Sequence, residues 1–359
     1  MNDKQESVKG EHAPISRIPF EKSRGLSVSA EIAPPGVKSA PGTAGFPKNF
    51  YGGICHFPIF YDKIEIIEQK PPGRLLCSAP IRIRNGGKII RYRYISDCHV
   101  HSDCSRDGRD PAIMMCESAA RLGLCAVAIT DHCECNTYYQ EEYDRSIRRS
   151  FFEAKKAAAV FRGRLRVYAG VELGQPTQNL DAARDVLSAC QFDFVLGSLH
   201  NLKEMDDFYF LDPERFDTAQ LLGRYFDELT QMALWNGFDS LAHLTYPLRY
   251  LAVRQSPDDC LCGVQDKVDT VLELLVRNHK ALEINTSGLR QKIGDTLPPL
   301  SVLKRFRQLG GRYVTIGSDA HRWADVGAGI ETGLSLLQAA GFSKFTIFIG
   351  REPHLIPIQ

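Results

Sequence analysis

The chain has 359 residues and a nearly balanced formal charge of +1 at pH 7, so its composition does not favour a polyanion-binding protein. No apolar run approaches the roughly 18 residues that cross a bilayer, and the N-terminus lacks the basic-then-apolar plan of a signal peptide. We therefore expect a cytoplasmic protein without a membrane partner.

The eleven cysteines are an odd number, and no two of them have the CxxC spacing. Cys133 with Cys135, and Cys260 with Cys262, have the CxC spacing, which alone is a weak signal for zinc. In a cytoplasmic chain, this usage favours reduced and mostly buried thiols.

The first 91 residues differ in composition from the rest of the chain. They hold ten of the nineteen prolines, and they show no sustained helical period. This composition predicts a disordered N-terminal extension over residues 1–91. Residues 81–94 are basic, which we interpret as a solvated run of charge, so no nucleic-acid partner is expected.

From Tyr92 onward, short β-rich apolar runs alternate with longer stretches of helical spacing. The predicted strands are Tyr94–Cys98, Cys125–Thr130, Leu165–Val171, Phe192–Gly197, Ser240–Ala242, Ala281–Ile284 and Tyr313–Gly317. The predicted helices are Pro111–Leu122, Ser146–Phe161, Asp181–Ala189, Thr218–Asn236, Asp266–Arg277 and Pro299–Leu309. Such alternation predicts parallel strands joined by helical crossovers, and hence an α/β barrel over residues 92–359.

Imidazoles and carboxylates recur where these strands end, which is where barrel enzymes place their functional side chains. Taken singly, each has a structural explanation, such as a hydrogen-bonded core histidine or a helix cap. Six of the ten histidines occur at these ends together with three carboxylates, and such joint placement indicates a site. The residues are His99, His101, Asp107, His132, Glu172, His200, His243, Asp319 and His321.

Nine such groups exceed the four or so ligands of one tetrahedral zinc ion. They suit two or three divalent ions bridged by a carboxylate, and mixed nitrogen and oxygen ligands favour zinc, manganese or iron. In the HxH motif, residues i and i+2 face the same side of a strand, so both imidazoles can reach one ion.

The ordered motifs HxH, SxDG, TDH, GxE, SxH, AH and SDAH, spread over residues 93 to about 350, resemble the PHP (polymerase and histidinol phosphatase) family of metal-dependent phosphoesterases. The resemblance implies a distorted (β/α)7 TIM-like barrel with a trinuclear metal site. Carried over residue by residue, it assigns the first ion to His99, His101, Glu172 and Asp319, the second to Glu172, His200 and His243, and the third to Asp107, His132 and His321.

Two segments, "GSLHNLKEMDDFYFLD" (197–212) and "EINTSGLRQ" (283–291), look like those of the monofunctional histidinol-phosphate phosphatases. This resemblance implies a small-molecule substrate, L-histidinol phosphate of histidine biosynthesis, which is hydrolysed to L-histidinol and phosphate. The implied mechanism is in-line attack by a hydroxide that bridges two ions.

Four further expectations concern side chains around the substrate. Arg249, and after it Arg290, are candidates for phosphate binding, since a guanidinium is a two-pronged donor; the alternative is an ordinary surface arginine. Asp131 could orient a ligand or cap the next helix. An acidic wall is expected for the ammonium and imidazole of histidinol. Its loop candidates, each more simply explained as a solvated charge, are Glu134, Glu204, Asp206 and Asp207.

Three alternatives stay open. The first is a PHP phosphoesterase that acts on nucleotides, DNA ends or phosphotyrosine. The second is a non-catalytic metal-binding module. The third is an amidohydrolase-type barrel, in which a metal-bridging lysine is expected where Glu172 stands.

Overall fold

The computed structural model describes residues 92–251 and 256–359, and its centre is a parallel β-sheet. Neighbouring strands follow the order β1-β2-β4-β5-β6-β7-β8, and the short β3 pairs with the far end of β4. The strands are β1 Ser96–Val100, β2 Ala126–Ile129, β3 His132–Glu134, β4 Arg166–Gly174, β5 Phe194–Ser198, β6 Ser240–Leu241, β7 Ala281–Asn285 and β8 Val314–Gly317. The extension predicted for residues 1–91 lies outside the described residues.

The sheet curls until its first and last strands meet. An isolated parallel bridge joins Val100 to Ala320, the Asp319 amide donates to the His99 carbonyl (2.8 Å), and the His101 amide donates to the Ala320 carbonyl (2.9 Å). These contacts form at the carboxyl ends of the strands. The seven-stranded, nearly closed, TIM-like barrel predicted from the sequence is therefore confirmed.

The helices cover the outside of the barrel, each burying one apolar face. In α4, for example, Leu222, Phe226 and Leu229 are buried at the spacing of one helix face, and the Asp217 carboxylate caps the first turn by accepting from the Gln220 amide (2.7 Å). The helices are α1 Ala112–Arg121, α2 Tyr143–Val160, α3 Leu180–Ala189, α4 Thr218–Trp235, α5 Leu248–Leu251, α6 Pro257–Leu261, α7 Gln265–Arg277, α8 Leu300–Gln308 and α9 Ile330–Ala339. None of them is long and apolar enough to span a bilayer.

Several elements differ from the sequence prediction. The first strand extends through Val100, so that His99 lies inside it, and His132 begins the unpredicted strand β3. Helix α9 was not predicted, nor was the antiparallel hairpin of β9 Lys344–Ile349 and β10 Glu352–Pro357. This hairpin forms a separate two-stranded sheet, and therefore falls outside the alternation of strand and helix on which the prediction depended.

Most of the described cysteines are buried, as the sequence predicted. Cys133 and Cys135 are fully buried, whereas Cys262 is exposed. Within residues 92–251 and 256–359, the clusters of possible metal ligands contain histidines and carboxylates but no cysteine.

A buried carboxylate ties the first strand to the last. Asp97 of β1 is fully buried, and its side chain accepts hydrogen bonds from the Ser318 amide (2.8 Å), the Ser318 hydroxyl (2.5 Å) and the Gly327 amide (2.8 Å). Hydrogen bonds to a charged group contribute roughly 1.5–3 kcal/mol each, and leaving such donors buried without a partner is costly. Asp97 therefore stabilises the closure of the barrel.

We expect Asp97→Ala to lower the free energy of unfolding by about 3 kcal/mol, because three donors, two of them buried, lose their acceptor. Urea unfolding of the metal-free protein measures this loss. Asp181→Ala, which removes a carboxylate that is 81% exposed, should change stability by less than about 0.5 kcal/mol. Equal effects of the two substitutions would contradict the role of Asp97.

Candidate metal centre

The structure brings all nine predicted ligands together at the carboxyl ends of the barrel strands. His99 lies on β1 and His101 follows it, whereas His132 begins β3. Four clusters of possible metal ligands form here: His101, His132 and His321; His99, His101 and Asp319; His99, Glu172 and His243; and His132, Glu134 and His200. Asp107 joins them from the loop after β1, at 3.0 Å from His321 Nε2.

Glu172, on β4, stands at the middle of these groups and is fully buried. Its Oε1 lies 2.8 Å from His243 Nε2 and 3.2 Å from His200 Nε2. Its Oε2 lies 3.0 Å from His132 Nδ1, 3.1 Å from His99 Nε2 and 3.4 Å from His101 Nε2. The two oxygens thus face different sets of imidazoles, which is the arrangement of a bridging carboxylate.

A second carboxylate completes the group around the HxH motif. Asp319 Oδ1 lies 3.4 Å from His101 Nε2 and 3.8 Å from His99 Nε2. The two imidazoles reach the same point because β1 alternates its side chains between faces. Buried His101 Nε2 has no hydrogen-bond partner in the structure, which leaves its lone pair available.

The third group lies nearer the rim of the barrel. His132 Nε2 and His321 Nε2 approach each other to 3.4 Å, and Asp107 lies 3.7 Å from the first and 3.0 Å from the second. The ring of His101 stacks on both imidazoles at centroid distances of 4.2 Å. The side chain of Asp107 is 60% exposed, so this group is the most open to solvent.

The facing nitrogens indicate that the residues fit bound cations. His200 Nε2 and His243 Nε2 lie 3.3 Å apart, close to the separation of His132 Nε2 and His321 Nε2. When both facing nitrogens are unprotonated, their lone pairs repel one another, and a cation between them removes this repulsion. With carboxylate oxygens beside each pair, the donor set is suited to divalent metal ions.

The charges of the site favour cations as well. Burial alone would raise the pKa of Glu172, but His99, His132 and His200 hold it well below its usual value. Burial opposes protonation of His99, yet the carboxylates of Glu283 and Glu172 raise its pKa well above the usual value. Burial, together with His132 and His321, lowers the pKa of His101 to about 3, which keeps that imidazole neutral and able to bind metal.

Two carboxylates behind the histidines were missed as site residues in the sequence. Glu283 Oε1 lies 2.7 Å from His99 Nδ1, and Glu134 Oε1 lies 3.1 Å from His200 Nδ1. The sequence did contain a signal for Glu283: a charged residue inside the apolar strand "ALEIN" must face a polar interior. Glu134 was considered for an acidic wall, but its carboxylate contacts the histidines instead.

Two glycines make room for these carboxylates. A Cβ at Gly317 would lie 2.3 Å from the Cβ of His99 and 2.6 Å from Oε1 of Glu283. A Cβ at Gly174 would lie 2.1 Å from Oε2 of Glu134. These distances are far shorter than van der Waals contact. The backbone at Gly174 and Gly317 therefore approaches the neighbouring side chains more closely than a residue with a Cβ permits.

Asp131 organises the loop after β1. Its carboxylate accepts hydrogen bonds from the hydroxyls of Ser102 (2.7 Å), Ser105 (2.7 Å) and Ser150 (2.5 Å). Strand β3 follows it, so the suggestion that it caps a helix was wrong. Its link to the predicted ligands is indirect, through Ser105, whose hydroxyl lies 3.3 Å from His101 Nδ1.

The two candidate arginines occupy different places. Arg249 Nη2 donates to Asp319 Oδ2 (2.9 Å) and to the Ser287 hydroxyl (2.7 Å), and its buried Nε has no hydrogen-bond partner. Arg290 donates to the backbone carbonyl of Ser318 (2.8 Å). Arg249 therefore reaches the predicted ligands with its side chain, whereas Arg290 holds the backbone beside them.

An aromatic and acidic wall borders the site beside His200 and His243. The ring of Tyr246 lies 4.9 Å from that of His200 and 5.2 Å from that of His243. Its hydroxyl donates to Asp207 Oδ1 (3.0 Å) and lies 3.3 Å from the Tyr250 hydroxyl. Of the four acidic candidates from the sequence, Asp207 is thus held against this wall, whereas Glu204 and Asp206 are exposed.

Comparison with known proteins identifies the class. Residues 97–287 match the PHP domain family. The chain is 30% identical over 254 residues to a probable histidinol-phosphatase of Thermotoga maritima, an alignment that covers 70% of this chain and 94% of that protein. It is 28% identical over 246 residues to a probable histidinol-phosphatase of Clostridium acetobutylicum, with coverage of 68% and 93%.

A solved structure has the same fold. The histidinol phosphate phosphatase of Lactococcus lactis, crystallised with zinc, L-histidinol and phosphate, superposes with a TM-score of 0.60 at 22% identity, covering 72% of this chain and 98% of that one. Fold and site together define a phosphoric monoester hydrolase. The chain belongs to the PHP family.

We expect Glu172→Gln to remove at least two bound ions per chain. The substitution removes the negative charge of the carboxylate that faces imidazoles with both of its oxygens. Metal content after dialysis, measured by mass spectrometry of the elements, tests this expectation. Glu141→Gln, on the loop before α2, should retain the wild-type content. Full occupancy in Glu172→Gln would show that this carboxylate does not bridge ions.

Proposed function

We propose that this protein hydrolyses L-histidinol phosphate to L-histidinol and phosphate, as a metal-dependent phosphomonoesterase of histidine biosynthesis. The observation that carries the proposal is the position of Glu172, whose two oxygens face two sets of imidazoles beside the Asp319–Arg249 pair. The relatives support the choice of substrate, since they are histidinol-phosphatases or probable histidinol-phosphatases.

The distances between the ligand atoms support the ligand sets that the family resemblance implies. Three ions, of zinc, manganese or iron, are assigned to three sets, and the first two of these sets share Glu172. When bound, such ions lower the pKa of coordinated water to about 7 and neutralise charge on phosphoryl oxygens. The sets are His99, His101, Glu172 and Asp319 for the first ion; Glu172, His200 and His243 for the second; and Asp107, His132 and His321 for the third.

Arg249 is proposed to bind the phosphoryl group. Its guanidinium is nearly buried, and it has an unpaired Nε beside the Nη2 that contacts Asp319. Nη2 donates to Asp319 and to Ser287, so the Nε–H is the donor left for a charge-assisted hydrogen bond to a phosphate oxygen. Arg290 contributes by fixing the backbone at Ser318, which keeps Asp319 in place.

Water, rather than a side chain, is proposed as the attacking group, in line with the departing alcohol. The serine hydroxyls nearest the predicted ligands, those of Ser102 and Ser105, both donate to the Asp131 carboxylate. Water on divalent ions ionises near neutral pH, so no side-chain nucleophile is required, and this favours a single displacement at phosphorus.

The wall of Asp207, Tyr246 and Tyr250 is proposed to hold the alcohol part of the substrate. Histidinol carries an ammonium and an imidazole, which a carboxylate and aromatic rings attract. Asp207 Oδ1 is occupied by the Tyr246 hydroxyl and by the Tyr209 amide (2.8 Å), so its other oxygen is the one that faces a ligand.

With added Mn²⁺, we expect kcat/KM for L-histidinol phosphate to exceed that for a nucleoside monophosphate, phosphotyrosine or 3′-phosphorylated DNA by at least about 100-fold, since recognition of the alcohol adds several contacts. Asp207→Asn should lower this kcat/KM about tenfold, the effect of one charge-assisted contact. Hydrolysis of p-nitrophenyl phosphate, which has no ammonium, is the control and should change less than twofold.

Preference for another phosphoester would refute the substrate assignment, but the protein would still be a phosphoester hydrolase. Inactivity toward every phosphoester, with ions bound, would instead favour a non-catalytic metal-binding module.

We expect Arg249→Ala to raise KM for the phosphoester by roughly 10- to 100-fold while the metal content stays intact, because the variant loses a charged donor to phosphate but no predicted ligand. Steady-state kinetics and elemental analysis of the same preparation measure both quantities. Arg224→Ala, on the exposed face of α4, is the matched control. Unchanged kinetics in Arg249→Ala would exclude this arginine from the site.

A further inference from the structure

Glu134 lies behind two of the predicted ligands, on the side away from the facing nitrogens. Strand β3 places His132 and Glu134 on the same face, because Cys133 between them points into the core. Glu134 Oε1 lies 3.1 Å from His200 Nδ1, with hydrogen-bond geometry, and 3.3 Å from His132 Nδ1. One oxygen therefore contacts histidines of the proposed second and third metal sets.

The position of this carboxylate is built into the surrounding chain. Gly174, opposite Glu134 in the pairing of β3 with β4, leaves the space in which the carboxylate lies. Buried Gln175 donates from Nε2 to Glu134 Oε2 (2.5 Å) and accepts from the His200 amide (2.9 Å) through Oε1. Gln175 thus joins the carboxylate to the backbone of the histidine that it contacts.

A carboxylate in this position decides which nitrogen of each imidazole is free. When Nδ1 of His200 carries the proton and donates it to Glu134, Nε2 keeps its lone pair. That Nε2 is the atom that faces Glu172 and His243. For His132, Glu134 Oε1 (3.3 Å) and Glu172 Oε2 (3.0 Å) both lie on the Nδ1 side, and Nε2 faces His321.

We propose that Glu134 is a positioning residue that holds His200 and His132 with Nε2 toward the metal sites, and so couples the second ion to the third. The inference rests on the metal assignment proposed above. Glu283 occupies the equivalent position behind His99, where it contacts Nδ1 at 2.7 Å. Each of the three metal sets then has an imidazole backed by a carboxylate.

The test is Zn²⁺ binding by the full-length chain, measured by competition with a chelating dye, without substrate. Glu134→Gln keeps the shape of the side chain but loses its charge, and Glu134→Ala removes the acceptor. We expect the two weaker Zn²⁺ affinities to fall about 10-fold in the first variant and about 100-fold in the second. The tightest affinity should change less than threefold.

A second readout separates positioning from a general loss of structure. In the Zn²⁺-loaded wild type, ¹⁵N NMR of labelled histidines should find His200 protonated at Nδ1, and Glu134→Ala should lose this single tautomer. Glu142→Gln, eight residues along the chain and exposed, is the matched control and should keep both the affinities and the tautomer.

Unchanged Zn²⁺ affinities in both Glu134 variants would overturn the inference, and so would a wild type that binds no Zn²⁺. Failure to hydrolyse L-histidinol phosphate would not, because no substrate enters the measurement. The two proposals can therefore fail separately.

Discussion

A negative charge at the centre of the barrel mouth is the constraint on which the rest of this structure depends. Glu172 is fully buried, and an isolated buried carboxylate is very costly, so it must be surrounded by groups that compensate its charge. Those groups are imidazoles delivered by β1 and by the loops after β5 and β6. The order of the strands around the sheet, and not only the presence of histidines, is what makes the cluster possible.

Closure of the barrel serves the same centre. Asp319 reaches His101 only because the end of β8 returns to the end of β1, where Asp97 holds Ser318 and Gly327. A second buried carboxylate, that of Asp97, thus stabilises the junction of β1 and β8, which carries predicted ligands. Stability and function are coupled here through the backbone, because a shift of the junction would move Asp319 relative to β1.

The sequence predicted the barrel and the convergence of nine side chains, because residues at the carboxyl ends of parallel strands must gather at one end of a barrel. It did not predict the roles of Glu134 and Glu283. Their contribution depends on which face of a strand they occupy and on the orientation of imidazole rings, and neither spacing nor composition fixes these. Strand β3 was missed because three residues are too short for a periodic signal, so His132 was placed in a loop. Asp131 was ambiguous for the same reason.

The two glycines beneath the centre set a limit on how this site can be redesigned. At Gly174 and Gly317 there is no volume for even a methyl group, since the carboxylates of Glu134 and Glu283 fill it. Substitution of these glycines in a directed-evolution library would therefore displace the carboxylates of Glu134 and Glu283 before it changed the substrate selectivity. Substitutions are better tolerated at Tyr209 and Phe210, which are exposed. The ring of Tyr209 contacts those of Tyr250 and Phe210. New substrate preferences in this scaffold should accordingly arise from the loop after β5.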